Sequence, residues 1–362
     1  MRTALIALAA LLTPALAAPP LAQLGTFELD PVALLRDGEE IPGSDDLATE
    51  FRHFEYRFSS KEHLEAFLAE PDRFAVRQGG ACPRMGALSG VGRTDLWAVH
   101  NGGLYFAASE GCRATFVQDP ERLLERDDPA LDATPESIEA GNRLVSLCVE
   151  WMGGREALLG LGAYRVVEAG PVESGDHTYD FERVETITLD GSMHRFVRYD
   201  DRAWTQASTT QDGYFSDGEA VRLMDPEQLG ESNRRSALRL PVLLAAWANN
   251  GVEVSHLGAD GTLGGERVAL RMHGKAVELV IDPETGRLLA QRHRGWAGSQ
   301  QFMGQIERRF TAFHEVDGVR FPVSWDRSDN GEMRGSVDRT GDRHRIESAD
   351  GIEASLFEVP SE

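Results

Sequence analysis

Two cysteines are the residues of this chain whose type and spacing suit them best to chemistry: Cys82 in GGACPRMGALSG, residues 79 to 90, and Cys112 in SEGCRATF, residues 109 to 116. The 362 residues hold only three cysteines, so two in neighbouring glycine-flanked motifs need a reason. Joined as a disulfide they would close a loop of about 30 residues and stabilise the fold by roughly 3 to 4 kcal/mol in the chain-entropy picture. As two thiolates they could instead hold a soft transition metal, zinc or copper, with Met85, His63 or His100 as further donors. Packing as two separate thiols is the third reading. Dithiol redox catalysis ordinarily uses Cys-x-x-Cys, a spacing this chain lacks. Cys148 differs. In SIEAGNRLVSLCVEWMGG it shares a predicted helix face with Ile138, Val145 and Met152, behind a Thr134 cap and Pro135, which makes it a buried free thiol.

The elements that position the first two cysteines come from a repeat. YRFSSKEHLEAFLAEPDRF, residues 56 to 74, aligns without a gap on YFAASEGCRATFVQDPERL, residues 105 to 123, at a constant offset of 49. Tyr56 falls on Tyr105, Ser60 on Ser109, Phe67 on Phe116, Pro71 on Pro120, and His63 on Cys112. Upstream, LDPVALL and ACPRMGAL match only across a small gap. Each unit reads as an aromatic strand, a capping serine and a short helix stopped by proline. His63 and Cys112 then lie in a first helical turn, where the dipole favours a thiolate but not a protonated imidazole.

The order of these motifs resembles the YHS domain, related to the TRASH zinc-finger-like modules. Asp30-Pro31-Val32, the strand ending Phe-Ser-Ser and the helix ending Phe-Leu-x-x-Pro carry the likeness in the first unit. GGLYF, Ser-x-x-Cys-Arg and Phe-x-x-Asp-Pro-Glu carry it in the second. The resemblance covers residues 25 to 126 and implies small treble-clef-like units associated with heavy-metal handling, with ligands from head and helix. Those places hold Cys82 and Cys112 in one unit and Asp30 and His63 in the other, fewer than the four sulfur or nitrogen ligands of a structural zinc site.

ERDDPALDATPES has linker composition and places a boundary at residues 127 to 137. Strand-like runs follow, among them YRVVEA, YDFERVETITL, HRFVRYD, RAWTQAST, RVALRMHG and ERRFTAFHEV, with hairpin turns at DPETG and VDG. Pro241 should kink or divide the helical stretch ESNRRSALRLPVLLAAWANNG. These features predict an α+β chain: two small YHS-like strand–helix units, then over 138 to 358 one large curved antiparallel sheet with helices on one side, a half-open barrel. GGREALLGLGAYRVV, VELVIDPETGRLL and AFHEVDGVRFPVSW are similar to segments of the outer-membrane lipoprotein carrier and sorting superfamily. That resemblance implies an apolar small molecule, lipid or lipoprotein as partner and identifies no ligand-contact residue.

The opening MRTALIALAALLTPALAAPP reads as a signal peptide over residues 1 to 17, and hence as export to a periplasmic or secreted location. No later segment has the run of about 20 apolar residues a membrane span needs. With 59 acidic against 37 basic residues and a net charge of -22, nucleic acid is excluded as a partner. The sequence has no Gly-x-Ser-x-Gly, His-Glu-x-x-His, P-loop or dinucleotide fingerprint, and no catalytic residue is singled out. The cluster Arg292, His293, Arg294 could bind an acidic group, but on one alternating strand Arg292 and Arg294 are expected to face solvent. The reading is an exported binding protein. The alternative is an exported enzyme, acting through thiol redox at Cys82 and Cys112 or as a hydrolase with a site assembled from distant strands.

Overall fold

The computed structural model describes residues 21–174, 177–297, 302–349 and 351–360, so the expected signal peptide lies outside the described residues. The repeat is visible in the backbone. Strand β1 (Gly25–Phe27) runs parallel to β3 (Phe54–Phe58), which pairs antiparallel with β2 (Ser44–Phe51). Helices α1 (Lys61–Ala69) and α2 (Pro71–Phe74) follow. In the second unit β4 (Arg93–His100) pairs with β5 (Gly103–Ala107), then come α3 (Glu110–Gln118) and α4 (Pro120–Leu124). Each proline ends one helix and opens the next, because it lacks an N–H but fits the first helical position. Ser60 and Ser109 cap α1 and α3, their hydroxyls accepting from the amides of His63 and Cys112, both at 3.2 Å. The register break falls at the same place in both hairpins, between Ser44 and Ala48 and between Arg93 and Trp97. There a Cβ on Gly43 would meet the Arg57 backbone at 2.4 Å, and one on Gly92 the Phe106 backbone at 2.5 Å.

Alternation in β3 buries Phe54, Tyr56 and Phe58 and turns Glu55 and Arg57 outward. Tyr56 packs on Phe67 and Tyr105 on Phe116, each at 4.9 Å between ring centroids. Phe106 contacts Phe54 and Phe27 at 5.4 and 5.6 Å, so one aromatic core spans both units.

The segment after α4 is tied down at Asp128, whose amide donates to the Gly274 carbonyl and whose carboxylate pairs with Lys275 and Arg294. Helix α5 (Pro135–Met152) starts at a Thr134–Ser137 capping box and buries Leu144, Val145, Cys148, Val149 and Met152, while Ile138 stays exposed rather than joining that stripe. Helix α6 (Arg155–Gly160) leads into β6 (Ala163–Ser174), β7 (His177–Thr188), β8 (Met193–Tyr199), β9 (Arg202–Ser208), β10 (Gly213–Ser216) and β11 (Val221–Leu223). Pro241 divides the next helical stretch into α7 (Pro226–Ser236) and α8 (Leu240–Ala248). The chain then forms β12 (Glu253–Ala259), β13 (Glu266–Met272), β14 (Lys275–Ile281), β15 (Leu288–Ala297), β16 (Phe302–Val316), β17 (Val319–Asp329), β18 (Glu332–Asp338) and β19 (His344–Ser348). The two expected hairpin turns join β14 to β15 and β16 to β17.

These strands form two seven-stranded antiparallel sheets, in the orders β11-β10-β9-β8-β7-β6-β19 and β12-β13-β14-β15-β16-β17-β18, instead of the single curved sheet expected. Twist is the physical reason: an open sheet of fourteen strands would turn too far to cover one core, and splitting lets two sheets share it. Tyr164 meets Phe321 across the join at 5.1 Å. Helices α5 and α8 are embedded in this shared core with Val145, Cys148, Leu243 and Leu244, against Val268, Leu270 and Leu279 of the second sheet and Ile187 and Met193 of the first. No closed barrel forms among the described residues.

Candidate functional site

The first repeat unit is built around Asp30, which is fully buried. Its Oδ1 accepts from the amides of Val32 and Ala33 at 2.9 and 3.0 Å. Its Oδ2 accepts from the Ser59 amide at 2.8 Å, the Ser59 hydroxyl at 2.7 Å and His63 Nδ1 at 2.7 Å. Arg36 can only donate, and its Nη2 lies 2.8 Å from His63 Nε2, so that ring nitrogen faces a donor while Nδ1 faces the Asp30 carboxylate. Burial works to raise the Asp30 pKa, but the Ser59, Ala33 and His63 hydrogen bonds outweigh it and hold the group below the ordinary carboxylate value. Five donors already occupy the two carboxylate oxygens, and Arg36 occupies the free histidine nitrogen. This pair has no lone pair to offer a metal.

The second unit presents two of the matching amides to sulfur. Cys82 stands where Asp30 does, and the amides of Ala108 and Met85 reach its thiol as those of Ser59 and Ala33 reach the carboxylate. Cys82 and Cys112 hydrogen-bond each other, and all three cysteines are free thiols in this structure. Arg84 Nη1 lies 3.8 Å from Cys112 Sγ. Burial tends to raise the Cys112 pKa, but hydrogen bonds from Ser109, Arg84 and Cys82 hold it below the ordinary thiol value. Cys82 is pushed up, first by its own burial and then by the charge on Cys112. The pair is therefore asymmetric: the Cys112 thiol is held below its ordinary value and the Cys82 thiol above it. Cys148 is fully buried, and its thiol is pushed up to about 12.

Sequence suggested Cys82, Cys112, His63 and Asp30 as metal ligands. The structure brings them together as two separate pairs, and among the described residues no three His, Cys, Asp or Glu side chains gather where they could hold a metal ion. His100 is paired with Glu121 at 3.0 Å, and Met85 is exposed.

A second site was not legible in the motifs. Between the two sheets and the start of α8 lies a cavity of about 260 Å³, walled by Tyr164, Ile187, Leu240, Phe310, Phe321 and Trp325. Arg183, Arg239, Arg308 and Arg339 also line it, against one lining carboxylate, Glu185. The Arg308 and Arg339 guanidinium carbons lie over the Trp325 ring, 5.8 and 5.1 Å from its centroid. Arg183 pairs with Glu168 and Glu185, and Arg239 reaches Glu185 at 4.0 Å. No carboxylate among the described residues pairs with Arg308 or Arg339. Burial, followed by the neighbouring charges of Arg327 and Arg339, lowers the Arg308 pKa to about 10. The signal that would have found it is an arginine in phase with the apolar residues of its strand: Arg308 alternates with Ile306 and Phe310.

Arg292 and Arg294 do not face solvent as expected. Arg292 pairs with Asp260, Glu278 and Glu307 at 2.6, 2.7 and 2.5 Å, and Arg294 pairs with Asp128 and Glu125. Strands β14 and β16 flank Arg292 with carboxylates, and charge pairing outweighs hydration there.

Part of the chain is similar to solved proteins. One is a DUF1329 family protein from Desulfovibrio piger, at 11% identity and a TM-score of 0.37, covering 61% of this chain and 97% of that one. Another is a LolA superfamily protein from Nitrosomonas europaea, at 10% identity and a TM-score of 0.37, covering 59% of this chain and 96% of that one. No protein-family model matches the chain, and no curated protein matches it. Among the described residues no helix is long and apolar enough to cross a membrane.

Proposed function

We propose that this chain is an exported binding protein whose two-sheet body holds an anionic amphiphile, a lipid-class molecule, with its charged end on Arg308 and Arg339 and its apolar part against Tyr164, Ile187, Phe310 and Phe321. One observation carries the reading: two guanidiniums without carboxylate partners are stacked on one indole inside an apolar-walled cavity. Desolvated like charges repel, and an anion between them relieves the repulsion while its tail excludes water from the aromatic wall. The reading narrows the sequence expectation of an apolar small molecule, lipid or lipoprotein to an anionic amphiphile, because the cavity has a cationic end.

Titration with a dansyl-labelled fatty acid tests this. The probe should bind the intact protein, and Arg308→Leu, which keeps the wall filled, should raise its dissociation constant about tenfold or more through loss of a charge-assisted hydrogen bond. An uncharged apolar dye should bind both proteins alike. Equal fatty-acid binding by the wild type and the Arg308→Leu and Arg339→Leu variants would overturn the reading.

A second reading, thiol redox chemistry, is favoured by the depressed Cys112 thiol beside Arg84 and its hydrogen-bonded neighbour Cys82. The YHS-like assignment of residues 25 to 126 and the signal peptide of residues 1 to 17 belong to the same proposal. N-terminal sequencing of exported material should find a chain beginning near Ala18.

A further inference from the structure

A separate cavity of about 290 Å³ lies beyond Leu238, between α7, the segment around Arg126, and strands β14 to β17. Its walls carry Arg235 from α7, Lys275 from β14, His293 and Arg294 from β15, and Arg327 from β17, with Glu231 as the one lining carboxylate. Most of the charge is answered from behind the wall. Lys275 and Arg294 share Asp128 at 3.0 and 2.9 Å, Arg235 pairs with Glu231 at 3.1 Å, and Arg327 pairs with Asp329 at 2.9 Å.

His293 is different. Its side chain is 94% removed from solvent, since only 6% remains exposed, and its Nδ1 is buried with no hydrogen-bond partner. Lys275, Arg235, Arg294 and Arg327 each have a carboxylate partner, so a ring that lines the cavity with a buried, unpartnered nitrogen marks a place where a ligand is missing from the hydrogen-bond count. The charges nearest the ring are Arg308, Lys275 and Arg327, with Asp128 opposing them, so the field at the ring favours a negative guest.

We propose that this cavity binds a phosphoryl group, with Lys275, Arg235 and Arg327 supplying charge and His293 a neutral N–H donor. Donors converge from a helix and three strands, and a tetrahedral oxyanion offers acceptors on every side where a planar carboxylate does not. The site is distinct from the Trp325 cavity and stands whether or not that cavity binds an amphiphile.

The test uses the full chain and inorganic phosphate. Phosphate should raise the midpoint of thermal unfolding saturably, beyond the effect of chloride at equal ionic strength. His293→Leu removes the unpartnered ring and should fold, yet its phosphate affinity should fall about tenfold or more. Lys275→Met should weaken binding similarly, and His293→Gln, which restores a donor, should recover part of it. A lysophospholipid with a terminal phosphate that competes with inorganic phosphate identifies the group as a lipid headgroup, and absence of competition identifies free phosphate. The site is overturned if wild type shows no saturable phosphate effect, or if both substitutions leave that effect unchanged.

Discussion

The two repeat units place the same backbone donors around different chemistry. In one, amides of Ala33 and Ser59 grip a carboxylate that holds a histidine. In the other, amides of Met85 and Ala108 reach a thiol that donates to a second, more acidic thiol. Each helix-start residue also receives an arginine from its own head, Arg36 on His63 and Arg84 on Cys112. The difference teaches that this small fold fixes an acceptor position and leaves the acceptor free to change. Asp30 is used up by structure, whereas Cys112 keeps a free sulfur beside a cation.

The largest expected effect comes from breaking the carboxylate. Asp30→Ala leaves the Val32, Ala33 and Ser59 amides and His63 without their acceptor in a buried place, and should destabilise by about 3 to 5 kcal/mol in urea unfolding. Cys82→Ala, at the matching place, should cost only about 1 to 2 kcal/mol, the lower range for trimming a buried side chain. Equal costs would break the comparison. Because Asp30 titrates below its ordinary value, its contribution is present above the unfolded pKa and is lost as pH falls through the folded one.

Equality is expected at the glycines. Gly43→Ala and Gly92→Ala each push a methyl into backbone at 2.4 and 2.5 Å, and each should cost about 1 to 3 kcal/mol. A large cost in only one unit would show that the hairpins are not equivalent. A covalent difference is tested by counting thiols. If Cys82 and Cys112 oxidise in an oxidising compartment, denatured unreduced protein shows one reactive thiol, Cys148, and reduced protein shows three. Three thiols without reduction would exclude the disulfide. The smallest effect concerns Cys112 in reduced protein. Arg84→Gln removes a hydrogen bond and a charge from the thiolate, so alkylation of Cys112 at neutral pH should slow, and Arg84→Lys should restore part of the rate.

Local rules were legible in the sequence. The offset of 49, the stops at Pro71 and Pro120, the division at Pro241 and the two hairpin turns each depend on residues within a few positions of one another. The first unit's cap, expected at Ser59 with Glu62 three residues on, is instead Ser60, because Asp30 of the distant head takes the Ser59 amide and hydroxyl. The head-to-helix pairing of Cys82 with Cys112 was legible too, because a repeat carries its geometry with it. What only the tertiary structure decided involves strands far apart in the chain. Splitting into two sheets, stacking Arg308 and Arg339 on Trp325, and enclosing His293 among cations from α7, β14 and β17 all depend on register and twist summed over many strands. A period-2 pattern says which residues share a face, but not which face another sheet will cover. Arg308 therefore reads as an ordinary surface arginine until the second sheet closes over it, and burial then makes it the centre of a site.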